Sequence, residues 1–327
     1  MPDEIQGKNV DITSLFTACG IEISPVSIVE TSGMYPFKNK IEDNWAYFTT
    51  AGLQVLSETL AREGKVIKDV GIVGICSGVE AIAVLHIFQK NLQRVVVTDI
   101  DDEILKGTMY NLKKFLGEAL VQIVPAVGSF CEPIKKLRIK VDLVHANIPN
   151  LPASGTEDLS LGAEKGTFLP AQLYEGYNPP EKFVGWALGS QYAYLQSAKE
   201  VTKDGGTIIT ELGGRVPLPL VQELFDSVGL KLEEIVSGFK EQTEALIDFT
   251  GYHRLEEKYG TEFEFYLYNE SKDLLNKQGI KNPSADISAQ DLKNLLEPFK
   301  ISAGRALELW PQKIPVGHTV HLFRGVK

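Results

Sequence analysis

Between Asp69 and Gly213, short unbroken apolar runs alternate with longer stretches in which apolar residues recur at helical spacing. Runs too short for a helix and bounded by glycine or polar residues have the pattern of buried strands, and the amphipathic stretches have that of the helices covering them. Strands are expected near 70–75, 94–99, 121–127, 141–146 and 207–212, and helices near 79–89, 102–116, 183–202 and 217–228. Such alternation gives an α/β fold with a parallel sheet, helices on both faces, and ligands beyond the carboxyl ends of the strands.

After Gly229 the pattern changes. Leu230 to Phe239 and Phe263-Glu264-Phe265-Tyr266-Leu267-Tyr268 have strand chemistry and are expected to close the sheet as an antiparallel pair, with Val320-His321-Leu322-Phe323 as one more strand. Residues 270–318 hold a capped helix pattern from Ser288 to Leu296 among proline and glycine breaks, and look like an insertion. The first 65 residues contain Asn44-Trp45-Ala46-Tyr47-Phe48-Thr49, helical from about Thr49. The expected organisation is an N-terminal helical lid segment (1–65), an α/β domain with a seven-stranded, mostly parallel sheet (66–269), and a C-terminal helical insertion with the last strand (270–327). There is no internal repeat and no low-complexity tract.

A formal net charge of −10 over 327 residues gives no basic footprint, so binding to nucleic acid or an anionic membrane would work against the average field. A small-molecule substrate is expected, with no nucleic acid or membrane partner and a possible homodimer. Cys19, Cys76 and Cys131 are odd in number and widely spaced, which argues against a disulfide framework and against a zinc site; no metal is expected. The start, Met1-Pro2-Asp3-Glu4, lacks the basic and apolar regions of a signal peptide, and no run of apolar residues is long enough to span a bilayer, so a cytoplasmic location is expected.

Three segments carry candidate chemistry. The first strand runs into Gly74-Ile75-Cys76-Ser77-Gly78 and then the helical Val79-Glu80-Ala81-Ile82-Ala83-Val84-Leu85. Glycines at this turn let the backbone approach a ligand, and the open N–H groups of the helix start favour electron-rich atoms. The next strand ends in Asp99-Ile100, where a carboxylate suits the two hydroxyls of a ribose. The fourth ends in Asn147-Ile148-Pro149, at the sheet edge that bears ligands.

This combination resembles the class I S-adenosylmethionine-dependent methyltransferases, whose Rossmann-like fold it shares in outline. Asn147-Ile148-Pro149 is similar to the Asn-Pro-Pro-Tyr type motif of the amino-methylating branch, which includes the release-factor glutamine methyltransferase. More specifically, the chain resembles the methyltransferase domain of methionine S-methyltransferases, through Glu42-Asp43-Asn44-Trp45-Ala46-Tyr47-Phe48, through Asn147-Ile148-Pro149 and through Glu211-Leu212-Gly213-Gly214-Arg215-Val216-Pro217. The resemblance covers roughly 41–268. It implies S-adenosylmethionine as cofactor, with Gly74, Cys76, Ser77, Gly78, Asp99, Ile100, Ser129, Phe130 and Asn147 around it. It assigns Asn147, Ile148 and Pro149 to catalysis, and Trp45, Tyr47, Phe48 and Arg215 to the acceptor. Two departures stand out: Ile72 where the family pattern has an acidic residue, and Cys76 where it has glycine. Near the adenine, Ser129 and Phe130 stand where many relatives carry an acid, with a hydroxyl to bond the amino group and a ring to stack on.

Each candidate has a plainer reading. Trp45, Tyr47 and Phe48 are otherwise helix core, or else a lid whose π faces hold a sulfonium. Arg215 is a surface charge in a turn, or a planar fork for an α-carboxylate. His145 is expected to point away from the pocket as a core residue, and His253, His318 and His321 have no metal spacing. A thioether nucleophile carries no proton and requires no base; an amine or amide nitrogen would instead be aligned by Asn147 and the Ile148 carbonyl. Methyl transfer to methionine sulfur is the expected function, with nitrogen methylation as the alternative. A dinucleotide enzyme would need three glycines that this turn lacks, and an inactive cofactor-binding protein is the reading suggested by Ile72 and Cys76.

Overall fold

Val70, Ile72, Val95, Val96 and Val97 are fully shielded from solvent on both faces, which is what makes their segments continuous apolar runs. They belong to β3 (Asp69–Val73) and β4 (Arg94–Asp99), at the middle of the central sheet. The computed structural model describes residues 5–117, 120–149, 151–153, 155, 157–158, 164, 166–243 and 249–327.

With β5 (Gln122–Val127), β6 (Val141–Ala146) and β7 (Thr202–Gly213), the parallel part of the sheet runs β5-β4-β3-β6-β7. On β7 lies β11 (Val316–Val326), antiparallel, and on the far side of β11 lies β8 (Lys231–Glu241), again antiparallel. These seven strands are the mostly parallel α/β sheet expected. Two short strands, β9 (Phe265–Leu267) on the start of β11 and β10 (Lys300–Ile301) on β9, extend it to nine.

The expected antiparallel pairing of 230–239 with 263–268 is not formed. Both segments lay themselves on β11, which begins at Val316 rather than near Val320. The sequence conceals this because β11 carries His318, Thr319, His321 and Arg324, all buried against polar partners on either side. The expected helix over 183–202 is likewise two helices, Glu181–Gly185 and Gly189–Val201, because Ala187 takes a left-handed backbone (φ 55°) and the Leu188 amide turns back onto the Phe183 carbonyl.

One face of the sheet is covered by helices Trp45–Arg62, Val79–Ile87 and Asp102–Leu116, the other by Gly189–Val201 and Leu218–Ser227. The N-terminal segment is more than a helical lid. Its β1 (Lys8–Asp11) and β2 (Ser27–Glu30) form a separate antiparallel pair, tied to helix Asp102–Leu116 by Asn111, whose side chain bonds both the N–H and the carbonyl of Val29. Residues between β9 and β11 form helices that pack Leu275, Leu292 and Leu296 against Phe239 and Tyr266. Among the described residues no helix is long and apolar enough to cross a membrane.

Candidate active site

The carboxyl ends of β4, β3, β6 and β7 open into one cavity, roofed by Gly33 to Phe37 and by the start of helix Trp45–Arg62. At β3 the chain leaves the sheet through Gly74 (φ 70°) and Gly78 (φ 89°), left-handed conformations that a side chain would strain. Cys76 holds the same kind of conformation (φ 50°) with a side chain in place. Its Sγ accepts from the Tyr35 amide, which ties the N-terminal segment to the turn. Burial pushes its thiol up to about 12, so it is no thiolate nucleophile.

Asp99 is clamped by two backbone amides, Cys76 N to Oδ2 at 3.2 Å and Asp101 N to Oδ1 at 3.1 Å. Asp101 in turn caps helix Asp102–Leu116 through the Glu103 amide, so the carboxylate is fixed to both the turn and the helix start. Ile100, Ser129 and Phe130 line the same end of the cavity, with the Phe130 ring set edge-on against Tyr177 at 5.5 Å. Ile72 faces the core and is absent from the lining.

On β6 the side chains of His145 and Asn147 reach the same group. Glu80 Oε1 accepts from Asn147 Nδ2 at 2.9 Å, and Oε2 meets His145 Nε2 at 2.6 Å. His145 is fully buried and absent from the cavity lining, a core residue as expected, and both it and Asn147 turn toward helix Val79–Ile87. A carboxylate only accepts, so Asn147 must present its NH₂ to Glu80, which leaves its carbonyl oxygen and the second amide hydrogen for other partners. Ile148 and Pro149 complete this stretch of the wall.

Beyond β6, the cavity is bounded by Trp45, Glu211, Gly213 and Gln242. Helix Trp45–Arg62 begins at Trp45, earlier than the Thr49 expected, so three rings leave one helical turn in different directions. Only Trp45 enters the lining. Tyr47 donates its hydroxyl to the Asn282 carbonyl at 2.8 Å, and Phe48 is buried in the core beside Gly238; neither forms part of the cavity wall.

Arg215 is 2% exposed and also stands behind the wall rather than in it. One of its nitrogens, Nη2, donates to Gln242 Oε1 at 2.8 Å and meets His318 Nε2 at 2.7 Å. His318 is held neutral, its proton affinity driven well below normal by burial and then by Arg215, so Nε2 accepts while Nδ1 donates to the Thr319 carbonyl. Trp45 stacks on the His318 ring at 5.6 Å, with Arg215 and Lys240 over its faces at 5.7 and 5.2 Å. Arg215 thus supports two lining residues, Gln242 and Trp45.

Two acidic residues of this site were given no role in the sequence expectations. Glu80 interrupts an otherwise apolar helix start, and Glu211 closes the apolar run of β7; a charge at the end of a buried run was the available signal. Glu211 is 2% exposed, engages Thr49 Oγ1 through Oε2, and has its carboxyl driven well above the usual range by burial and then by the charge of Glu80. Among the described residues no cluster of side chains is arranged to hold a metal ion.

No family model matches the chain, and no curated protein sequence matches it. Among solved structures it is similar to precorrin-6y C5,15-methyltransferase from Geobacter metallireducens GS-15, at 11% identity over 91% of this chain and 94% of that one, with a TM-score of 0.39. A ribosomal protein L11 methylase from Lactobacillus delbrueckii subsp. bulgaricus aligns at 16% identity over 64% of this chain and 77% of that one, with a TM-score of 0.38. Phosphoethanolamine N-methyltransferase 2 of Haemonchus contortus, solved with phosphomonomethylethanolamine and S-adenosylhomocysteine, aligns at 12% identity over 87% of this chain and 58% of that one, with a TM-score of 0.37. These are likenesses of fold, and the chemistry has to be read from the cavity itself.

Proposed function

We propose that this chain is an S-adenosylmethionine-dependent methyltransferase acting on a small, amino-acid-like acceptor, with the sulfur of methionine as the atom methylated. The observation that carries the reading is the pairing in one cavity of Asp99, fixed by two backbone amides at the end of β4, with Asn147, oriented by Glu80 at the end of β6. The first suits a vicinal diol of a ribose; the second presents a carbonyl oxygen two strands away, where an acceptor can be aligned.

Bound there, the cofactor supplies an electrophilic methyl group. What the chain does is bind, orient and exclude water. Asp99 takes the ribose hydroxyls, and Ser129 with Phe130 meets the adenine. Trp45, Tyr35 and Phe37 form an aromatic cover over the reacting region, in which a sulfonium sits favourably against π faces. A thioether has no proton to lose, which matches a wall with no thiolate and with His145 already spent on Glu80.

Methylation of an amine nitrogen is the second reading, favoured by the Asn147 carbonyl oxygen, which can accept an N–H and aim the nitrogen lone pair. Incubation with methyl-labelled S-adenosylmethionine and L-methionine, with chromatography of the product, separates the two. Labelled S-methylmethionine is the expected product. Labelling of amines but not of methionine by the same preparation moves the function to nitrogen.

A further inference from the structure

Thr49 stands between two buried carboxylates and has one hydroxyl proton to share between them. Its Oγ1 contacts Glu211 Oε2 and lies 3.4 Å from Glu80 Oε1. Glu80 is engaged at both oxygens, since Oε1 also takes Asn147 and Oε2 meets His145. Glu211 differs. It is one of the residues that line the cavity, and its buried Oε1 has no hydrogen-bond partner among the described residues.

A buried acceptor without a donor is unfavourable unless a ligand supplies one. The location says which ligand. Ala146 pairs with Thr210 in the β6–β7 register, so Asn147 and Glu211 leave adjacent strands side by side. Asp99 is at the end of β4, three strands away from β7, which at strand spacing is roughly 14 Å. The ribose end of the cavity and Glu211 are therefore at opposite extremes, with Asn147 between them. Thr49 has one proton for two acceptors, and burial together with the charge of Glu80 favours a proton held on Glu211 itself. A cationic ligand can displace that proton and take up the charge.

We propose that Glu211 is the recognition group for an ammonium on the methyl acceptor, so that the acceptors of this site are amino acids or amines with a free, cationic nitrogen. This rests on the methyl-transfer reading given above. For an amino acid, the opposite end of the zwitterion falls to Gln242, which Arg215 positions.

The test is calorimetry of S-adenosylhomocysteine, then of L-methionine and N-acetyl-L-methionine into the S-adenosylhomocysteine complex, for the wild type and Glu211→Gln. Glutamine keeps the shape and the Thr49 contact and removes the charge. The expected result is S-adenosylhomocysteine affinity within about twofold of wild type, with L-methionine bound about tenfold or more weakly by the variant. The wild type rejects the acetylated compound by a similar factor, and Glu211→Gln no longer tells the two apart. Loss of S-adenosylhomocysteine affinity in Glu211→Gln would assign the carboxylate to the cofactor and overturn the proposal, as would equal binding of methionine and its acetylated form by the wild type. Where the wild type binds S-adenosylhomocysteine but not methionine, turnover of labelled cofactor on free amines and their N-acetyl counterparts decides: labelling confined to free amines supports the proposal, and equal labelling overturns it. A folded wild type that binds no S-adenosylhomocysteine removes the methyl-transfer reading itself, and the proposal with it.

Discussion

Asn147 gives its side-chain amide to Glu80 at 2.9 Å, and that single bond decides which end of the asparagine a ligand meets. Were Glu80 absent, the amide could turn over, because its two ends are nearly the same size and differ only in whether they donate or accept. Glu80 is in turn held from its other oxygen by His145. A partly buried helix residue that itself lines the cavity and a buried strand residue behind it thus set which atoms of Asn147 face outward.

Asn147→Ala is expected to leave S-adenosylhomocysteine affinity nearly unchanged and to lower kcat by about 10²-fold or more, since alignment rather than binding is lost. Glu80→Gln should lower kcat in the same direction by releasing the amide, and the double variant should be no worse than Asn147→Ala alone. Additive losses in that cycle would show that Glu80 acts elsewhere.

Asp99→Ala should weaken S-adenosylhomocysteine binding by about 1.5–3 kcal/mol, the worth of a hydrogen bond to a charged group. Because Asp99 also anchors the Cys76 amide, part of the loss will come from a loosened turn. Asp99→Asn keeps an acceptor for that amide and should recover part of the affinity. A dissociation constant unchanged in the folded Asp99→Ala protein would remove Asp99 from the ribose site.

β3 and β4, at the middle of the parallel strands, could be read from the sequence because burial on both faces makes them nearly continuous apolar runs. The same logic failed at β11, where His318, His321 and Arg324 are buried yet polar, their partners supplied by Arg215, Ser237 and Glu63 from segments distant in the chain. Gly74, Gly78, Asp99 and Asn147 stood out because their residue types and spacing are local; the structure brings Gly74, Asp99 and Asn147 to one cavity, while Gly78 packs behind it against Thr108 and Leu112. Glu80, Glu211 and Gln242 were given no role, because they meet only through the packing of helix Val79–Ile87 onto the sheet and the pairing of β8 with β11, which ends at Gln242. Arg215 was visible as a residue but not as a position: a Gly-Gly-Arg-Val-Pro turn does not say whether the arginine faces a ligand or the residues behind it.

Arg215→Lys tests that distinction. Lysine keeps the charge but cannot repeat the geometry by which the guanidinium meets both Gln242 and His318, so a buried cation loses partners. The expected outcome is a loss of about 2–4 kcal/mol in urea unfolding together with a raised acceptor KM and intact S-adenosylhomocysteine affinity. A raised KM at unchanged stability would instead place Arg215 in direct contact with the acceptor.

Glu211 makes folding itself pH-dependent. Its carboxyl is driven well above its ordinary value of 4.5 by burial first and by Glu80 second, against the opposing influence of Thr49 and Lys240. Above about pH 4.5 the unfolded chain has released this proton while the folded chain still holds it. Raising the pH therefore favours unfolding, by about 1.4 kcal/mol per pH unit for one proton, until Glu211 ionises within the fold. Glu211→Gln has no proton to release at this position and keeps a polar partner for Thr49. Groups common to both proteins, including His318, whose lowered proton affinity acts in the opposite sense as pH falls, cancel in the difference to first order. The stability of Glu211→Gln minus that of the wild type, from urea unfolding without ligand at about pH 5, 6, 7 and 8, should rise with pH and level off where Glu211 ionises. A difference that stays flat across that range would mean that Glu211 is ionised in the empty cavity throughout it.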